Sequence, residues 1–248
     1  MLDSVFAQSF QDFEVVIVND GSTDNTREIL EAIQHEKVRI YHTRNHGPAH
    51  ARNLAIKRSN GEIILNLDAD NKIAPTFLEK CIGIFEAHTN AGIVYTQLEY
   101  FGAKTGLFVL VNYTIQNMLN ANCIDGNACF KRADWKKTGG YSSTFRNGYE
   151  DFDFWLKIIG PGRDVLRIDE PLVFYRTYSN PQLSRSGRRT SKQHQVLEAI
   201  VLAFQRHRKL YNAFSDNLEK FLRYEKELKK KQSIFVKIKW EWNKLIRK

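Results

Sequence analysis

Apolar positions along the chain fall in short blocks that end in polar turns. Glu62–Leu67 carries Ile63, Ile64, Leu65 and Leu67 with little alternation, the pattern of a mostly buried strand. The block stops at Asp68 and Asp70, and a Pro75-led helix is expected from Pro75 to His88. Upstream, residues 2–8 read as the end of a helix and Phe13–Asn19 as a second buried strand. The turn Asn19–Asn25 is rich in residues that bend the backbone and cap helices. A helix is expected from Thr26 to His35 with Ile29, Leu30 and Ile33 on one face. Val38–His42 then reads as a strand, and Ala49–Arg58 as a helix after the break Asn45-His46-Gly47-Pro48. Strands and helices alternating at these spacings predict βαβ units and a mostly parallel sheet.

Further on, Gly92–Phe101 fits a strand, and 107–121 fits either a helix or a strand, with a helix near the active face preferred. Asp125–Lys131 reads as a strand, followed by a short helix from Ala133 and the turn Gly139-Gly140-Tyr141. In Tyr149–Leu156 acidic and large apolar residues interleave, so that a helix would bury Phe152, Trp155, Leu156 and Ile159. Glu150 and Asp151 would sit in its first turn, where the helix dipole stabilises negative charge. A capped surface helix accounts for the same carboxylates. Pro181–Arg189 is a polar, basic loop, and Ser191–Tyr211 and Asp216–Lys231 read as helices.

Composition narrows the function classes. Apolar and charged fractions of 42% and 26% are those of a globular protein. Cys81, Cys123 and Cys129 form no metal-type spacing and are odd in number, which favours a reducing compartment over a disulfide framework. No apolar run approaches a membrane span, and the first residues lack a signal-peptide pattern, so a cytoplasmic location is expected. Of the net charge of +9, residues 229–248 carry +7, leaving +2 for the other 228 residues. The excess base belongs to a tail, and no nucleic-acid partner is expected. Within that tail, Ile234, Phe235, Ile238, Trp242, Leu245 and Ile246 fall on one helical stripe, opposite Lys237, Lys244, Arg247 and Lys248. This suits an anionic membrane surface, or equally a terminal helix docked on the catalytic domain or another subunit.

The chemistry suggested by residue type alone centres on Asp68 and Asp70. Two carboxylates on a bend at the end of a sheet strand can share a hard divalent cation whose other ligands are phosphate oxygens. Asp-x-Asp also arises by chance, recurs at Asp151-Phe152-Asp153, and equally serves as a turn and cap.

Four stretches in order, SVFAQSFQDFEVVIVNDGSTDNTREIL, GPAHARNLAIKRSNGEIILNLDADN, GNACFKRADWKKTGGY and YEDFDFWLKI, resemble the inverting nucleotide-sugar glycosyltransferases of family 2. The resemblance covers roughly residues 4–180 and implies the α/β, Rossmann-like GT-A fold: a mostly parallel central sheet with flanking helices, here a domain over residues 1–185 with a helical extension over 186–248. It implies that Asp20 contacts the nucleotide base, that Arg52 lies near base and phosphates, and that Asp68 faces the ribose. It implies Asp70 as ligand of a divalent metal, Mn²⁺ or Mg²⁺. Asp151 is then the catalytic base, Glu150 orients the acceptor, and Gly126 and Asn127 line the wall between donor and acceptor. The implied partners are a nucleotide-sugar donor, with uridine preferred, and a glycan or lipid-linked glycan acceptor. A peripheral position on the cytoplasmic membrane face would suit the latter.

Three departures qualify the resemblance. The family normally begins with a further strand ending in a Pro-x-Tyr-Asn-like turn, so a gap flanked by apolar strands is expected. A start assigned too far downstream, or a fragment, is favoured over a degenerate copy. The run DADD of many relatives reads DADN here, with Asn71. A histidine that often follows a Tyr-Arg pair is replaced, Tyr175-Arg176-Thr177 being followed by Tyr178. The Gln-x-x-Arg-Trp motif of processive synthases is missing, which favours transfer of a single sugar. The rival readings are a sugar-phosphate nucleotidyltransferase, whose glycine-rich, arginine-containing loop is not seen, and a catalytically inactive homologue that binds a membrane or partner.

Overall fold

The computed structural model describes residues 1–145, 148–180 and 192–230. The basic loop expected at 181–189 and the amphipathic segment 233–247 lie outside the described residues. In chain order the elements are α1 (Leu2–Phe6), β1 (Val15–Asp20), α2 (Thr26–Glu31), β2 (Val38–Thr43), α3 (Pro48–Arg58), β3 (Ile63–Leu65), β4 (Lys72–Ile73) and α4 (Phe77–Ala87). They continue with β5 (Ala91–Gly102), β6 (Gly106–Phe108), α5 (Ile115–Asn120), β7 (Cys129–Lys131), α6 (Arg132–Thr138), α7 (Glu150–Ile159), β8 (Asp164–Thr177), α8 (Lys192–Arg206) and α9 (Arg208–Phe214). A further helix, α10, occupies residues 218–230.

The α/β class holds, but the sheet is mixed rather than mostly parallel. β1 and β2 form a separate parallel pair, and the larger sheet runs β3-β7-β5-β8-β4 with β6 alongside β5. Within it only β5 and β8 pair parallel, while β3-β7, β5-β7, β5-β6 and β4-β8 are antiparallel. The physical reason is β7: it enters between β3 and β5 running against both, so the alternation seen in the first half of the chain does not continue. The β5-β8 ladder joins eleven positions, with register shifts around Gln97, which faces Pro171. Such a bulge lets a strand keep a residue that cannot donate to the ladder.

β5 separates two apolar cores. Ile93 and Tyr95 join Phe130, Phe152, Phe154 and Trp155 on one side. Val94 and Leu98 join Phe77, Cys81 and Phe85 of α4 on the other. A strand covered on both faces must be apolar at successive positions, which is why 91–98 reads as a near-continuous run. In the first core, Phe130 meets Phe154 edge-on at 4.9 Å and 78°, a geometry that adds about 1 kcal/mol to the area buried. Ala203, Phe204, Tyr211 and Phe221 complete this same core, so the carboxyl-terminal helices are packed into the sheet domain.

Several expectations shift. The strand expected at 125–131 forms only over Cys129–Lys131, because 125–128 turns to place polar groups in a cleft. The stretch 107–121 divides into the end of β6 and α5, whose cap is Thr114 accepting from the Asn117 N–H at 3.0 Å. One long helix at 191–211 is replaced by α8 and α9, broken at His207. Ile29, expected on one face of the helix with Leu30 and Ile33, is 58% exposed. The gap expected between apolar strands is present: a cavity of about 1000 Å³ lies between β1 and β3, lined by Val16, Val18, Ile63, Leu65 and Ala55.

Candidate active site

The site forms where α3, the turn after β3 and the first turn of α7 meet on one cleft. Arg52, on α3, is its centre. Its Nη1 donates to Glu150 Oε1 at 2.6 Å and its Nη2 to Asp68 Oδ1 at 3.1 Å. A planar guanidinium can hold two carboxylates at once, which an ammonium cannot do with fixed geometry. The ring of Tyr141 lies 5.6 Å from the guanidinium carbon. Burial works against the charge of Arg52, yet Asp68, Tyr141, Glu150 and Asp151 together hold it more firmly protonated than usual.

Tyr141 is placed by a glycine turn. Gly140 has φ +70°, and a Cβ there would lie 2.5 Å from both Asn53 Oδ1 and Trp135 Nε1. Asn53 Oδ1 accepts from the Tyr141 N–H at 2.9 Å and from Trp135 Nε1 at 2.9 Å, while its Nδ2 donates to Tyr141 O at 2.8 Å. The turn is thereby locked to α3 beside Arg52.

Glu150 and Asp151 open α7, and the residue before them, Tyr149, has φ +67°. It is the only non-glycine among the described residues in that region, a strain of the kind stored at functional sites. Glu150 is 2% exposed. Asp151 Oδ1 accepts from the Phe152 N–H at 2.8 Å, and Oδ2 accepts from Asn122 Nδ2 at 3.1 Å. Burial pushes the Asp151 carboxyl up to about 6, with Glu150 raising it further and Arg52 opposing. Gly126 separates the two halves of the cleft: a Cβ there would stand 3.5 Å from Asp151 Oδ2 and 3.9 Å from Arg52 Nη2.

On the other half, Asn127 Oδ1 accepts from the Asp68 N–H at 2.9 Å, and the Asn127 N–H donates to Asp125 Oδ1 at 2.9 Å. Asp125 is raised by burial and by Asp68, against the hydrogen bonds from Asn127. Asp70 lies across a turn closed by Asn71 N–H to Asp68 O at 3.0 Å. Its Oδ2 accepts from Tyr178 OH at 3.1 Å, and its carbonyl accepts from Arg176 Nε at 3.0 Å. Tyr175 faces Asp125, Asp68 and Asp70, and its hydroxyl is pushed up to about 12 by burial and then by those charges. Asp20 stands at the end of β1, where its carboxylate accepts from Gly47 N–H at 2.7 Å, His46 N–H at 3.0 Å and Thr43 Oγ1 at 3.1 Å.

The sequence-predicted residues thus form one chain of contacts from Asp68 through Arg52 to Glu150, with Asp151, Gly126 and Asn127 beside it and Asp70 a turn away. Asp20 lies apart, tied to the loop before α3. Sequence reasoning missed Asn122, Asp125, Tyr141 and Tyr175. Asp125 had a signal in its place next to the Gly126-Asn127 pair, and Tyr141 and Tyr175 stood out only as part of the Gly139-Gly140-Tyr141 turn and the Tyr-Arg pair; Asn122 had none.

The sequence pattern of the family described as Glycosyl transferase family 2 matches residues 1–146. The chain belongs to glycosyl transferase family 2. An uncharacterized glycosyltransferase of Haemophilus influenzae is 30% identical over 204 residues, 78% of this chain and 68% of the relative. Chondroitin synthase of Escherichia coli is 28% identical over 175 residues, 67% of this chain and 25% of that enzyme. The family 2 chain therefore spans about a quarter of that synthase. Among solved structures, S. aureus TarS 1-349 in complex with UDP-GlcNAc is similar with TM-score 0.67 at 18% identity, covering 88% of this chain and 69% of that one. The mannosyltransferase PcManGT from Pyrobaculum calidifontis, in complex with GDP-Man and Mn²⁺, gives TM-score 0.56 at 19% identity, covering 86% and 69%. At these identities the likeness is one of fold, the GT-A fold expected from the sequence.

The residues present fit a divalent cation. Asp70 and Asp68, whose side chains have access to solvent, would supply hard oxygen ligands, and Mg²⁺ or Mn²⁺ is commonly bound by one or two carboxylates with phosphate oxygens completing the shell. Among the described residues no group of three metal-ligating side chains is assembled.

Proposed function

We propose that this family 2 member transfers a single sugar from a nucleoside-diphosphate donor, uridine-based, to a hydroxyl of a glycan or lipid-linked glycan, with inversion at the anomeric carbon. The observation that supports this reading is the fork of Arg52 between Asp68 and Glu150, which joins the turn after β3 to the first turn of α7.

The acceptor hydroxyl enters against Asp151, which takes its proton as the new bond to the anomeric carbon forms. The bond from that carbon to the diphosphate oxygen breaks on the opposite side, and the nucleoside diphosphate departs with the electron pair. A carboxyl held near 6 is ionised at neutral pH and still basic enough to accept the proton, the balance a general base needs. Gly126 leaves room for both substrates to meet, since a Cβ there would fill the space beside Asp151 and Arg52 at van der Waals contact. When bound at Asp70 beside Asp68, a divalent cation would offset the charge developing on the diphosphate. Tyr178 and Arg176 hold Asp70 in place. A single base with no carboxylate in the role of covalent nucleophile supports one displacement and hence inversion. The basic residues of 229–248 would keep the enzyme at an anionic membrane surface, on its cytoplasmic face, where a lipid-linked acceptor is reached.

The test is a screen of nucleoside-diphosphate sugars for release of the nucleoside diphosphate in the presence of glycan acceptors, with and without Mn²⁺ or Mg²⁺, run beside Asp151→Asn. Turnover of one donor that Asp151→Asn stops, while uridine diphosphate still binds, is the expected result. Turnover by Asp151→Asn at the unaltered rate would move the base to another residue.

A further inference from the structure

We propose that the helix pair α8–α9 is a positioning device for Asp151, gripping the acceptor side of the cleft from two directions. The inference rests on the reading of Asp151 as the base.

The first grip acts on α7 itself. Asp153, two residues after Asp151, is fully buried, and its Oδ1 accepts from Arg206 Nε at 2.9 Å and from His207 Nε2 at 2.8 Å. Lys157 Nζ stands 3.2 Å from its Oδ2 and also donates to Gly140 O at 2.7 Å. Arg206 ends α8 and His207 is the break before α9, so the interruption of the helix is the point at which the carboxyl-terminal part takes hold of α7. The second grip acts through α5. Tyr211 OH on α9 donates to Leu119 O at 2.9 Å, and Lys220 Nζ on α10 donates to Asn120 Oδ1 at 2.7 Å. Two residues beyond α5, Asn122 donates to Asp151. The rings of Phe204, Tyr211 and Phe221 pack together with Met118 and Leu119 beneath these bonds.

Packing alone would be served as well by apolar side chains at 153 and 206, and replacing buried ion pairs in that way is often neutral for stability. What a buried carboxylate bonded through Oδ1 to Arg206 and His207, with Lys157 3.2 Å from its Oδ2, adds is a fixed orientation for the helix that bears it. The helix turn so fixed is the one that carries Asp151, and the loop fixed through α5 carries the amide that holds its second oxygen. Arg206, His207 and Tyr211 are positioning residues that act through Asp153 and Asn122.

The experiment is a carboxyl ¹³C NMR titration of aspartate-labelled protein, with the Asp151 signal identified by its loss in Asp151→Asn. Asp153→Asn leaves Arg206 and Lys157 without their carboxylate and is the variant most prone to unfold. Arg206→Gln, at a side chain 34% exposed, and Tyr211→Phe, which keeps the ring, are therefore the variants read. In the unaltered protein the midpoint is expected near 6. In either variant it falls by about 0.5 unit or more as water enters around the loosened carboxyl, while the thermal shift given by uridine diphosphate is kept. A folded Arg206→Gln and Tyr211→Phe pair with the Asp151 midpoint unchanged or raised overturns the proposal, as does parallel loss of the uridine diphosphate shift, which marks general loosening. The titration needs no turnover, so a failure of the base assignment, read from Asp151→Asn activity, is separate from a failure of this inference.

Discussion

Asp151→Asn should inactivate the enzyme and stabilise it. The carboxyl sits in the fold near 6 against a usual value of 3.8, because burial and the neighbouring Glu150 disfavour its charge. A group whose folded value lies above its unfolded one contributes stability below pH 4, and that contribution is lost as pH rises through 6. The difference of roughly two units corresponds to up to about 3 kcal/mol at neutral pH, which the uncharged amide recovers. Asn keeps the size of Asp and can still accept from the Phe152 N–H. The variant should therefore melt several degrees above the unaltered protein at pH 7, and the two should converge near pH 4. Differential scanning calorimetry across that range reads this directly. The catalytic counterpart is the pH dependence of nucleoside diphosphate release at saturating donor and acceptor. It should fall about tenfold per unit below pH 6, and Glu150→Gln should move the bend to lower pH by removing the charge that raises it. An Asp151→Asn variant no more stable at pH 7 than at pH 4, relative to the unaltered protein, would refute the reasoning. So would a rate profile flat down to pH 4.

Two further predictions concern the other half of the cleft. Asp70→Ala should abolish the metal-dependent part of the thermal protection given by uridine diphosphate, measured with and without Mn²⁺; an unchanged shift would remove Asp70 from the metal site. Gly140→Ala should destabilise the protein by about 2–4 kcal/mol in denaturant unfolding, because φ +70° and the 2.5 Å approach to Asn53 and Trp135 leave a Cβ nowhere to go; a change below about 0.5 kcal/mol would show that the turn is not locked to α3.

The local pattern carried much of this molecule. Valines and isoleucines at 15–18 and 63–65 specify strands because they suit a pleated, buried surface, and the polar residues that follow specify where those strands stop. The bends at Asp20 and at Asp68–Asp70 were legible for that reason, as was the first turn of α7, whose Phe152, Trp155, Leu156 and Ile159 all lie in the core. Tertiary structure alone decided the rest. β8 contains Pro171 and alternating charges that hide it as a strand, and only a bulged pairing with β5 makes one of it. The direction of β7, the joining of Arg52 to Glu150 across 98 positions and the hold of α8–α9 on α7 are contacts between distant segments. No periodicity of 2 or 3.6 residues encodes such contacts, because what fixes them is which apolar faces can be buried together. The raised Asp151 carboxyl is of the same kind: an aspartate's affinity for its proton is set by its surroundings, and those were assembled only when the two cores closed.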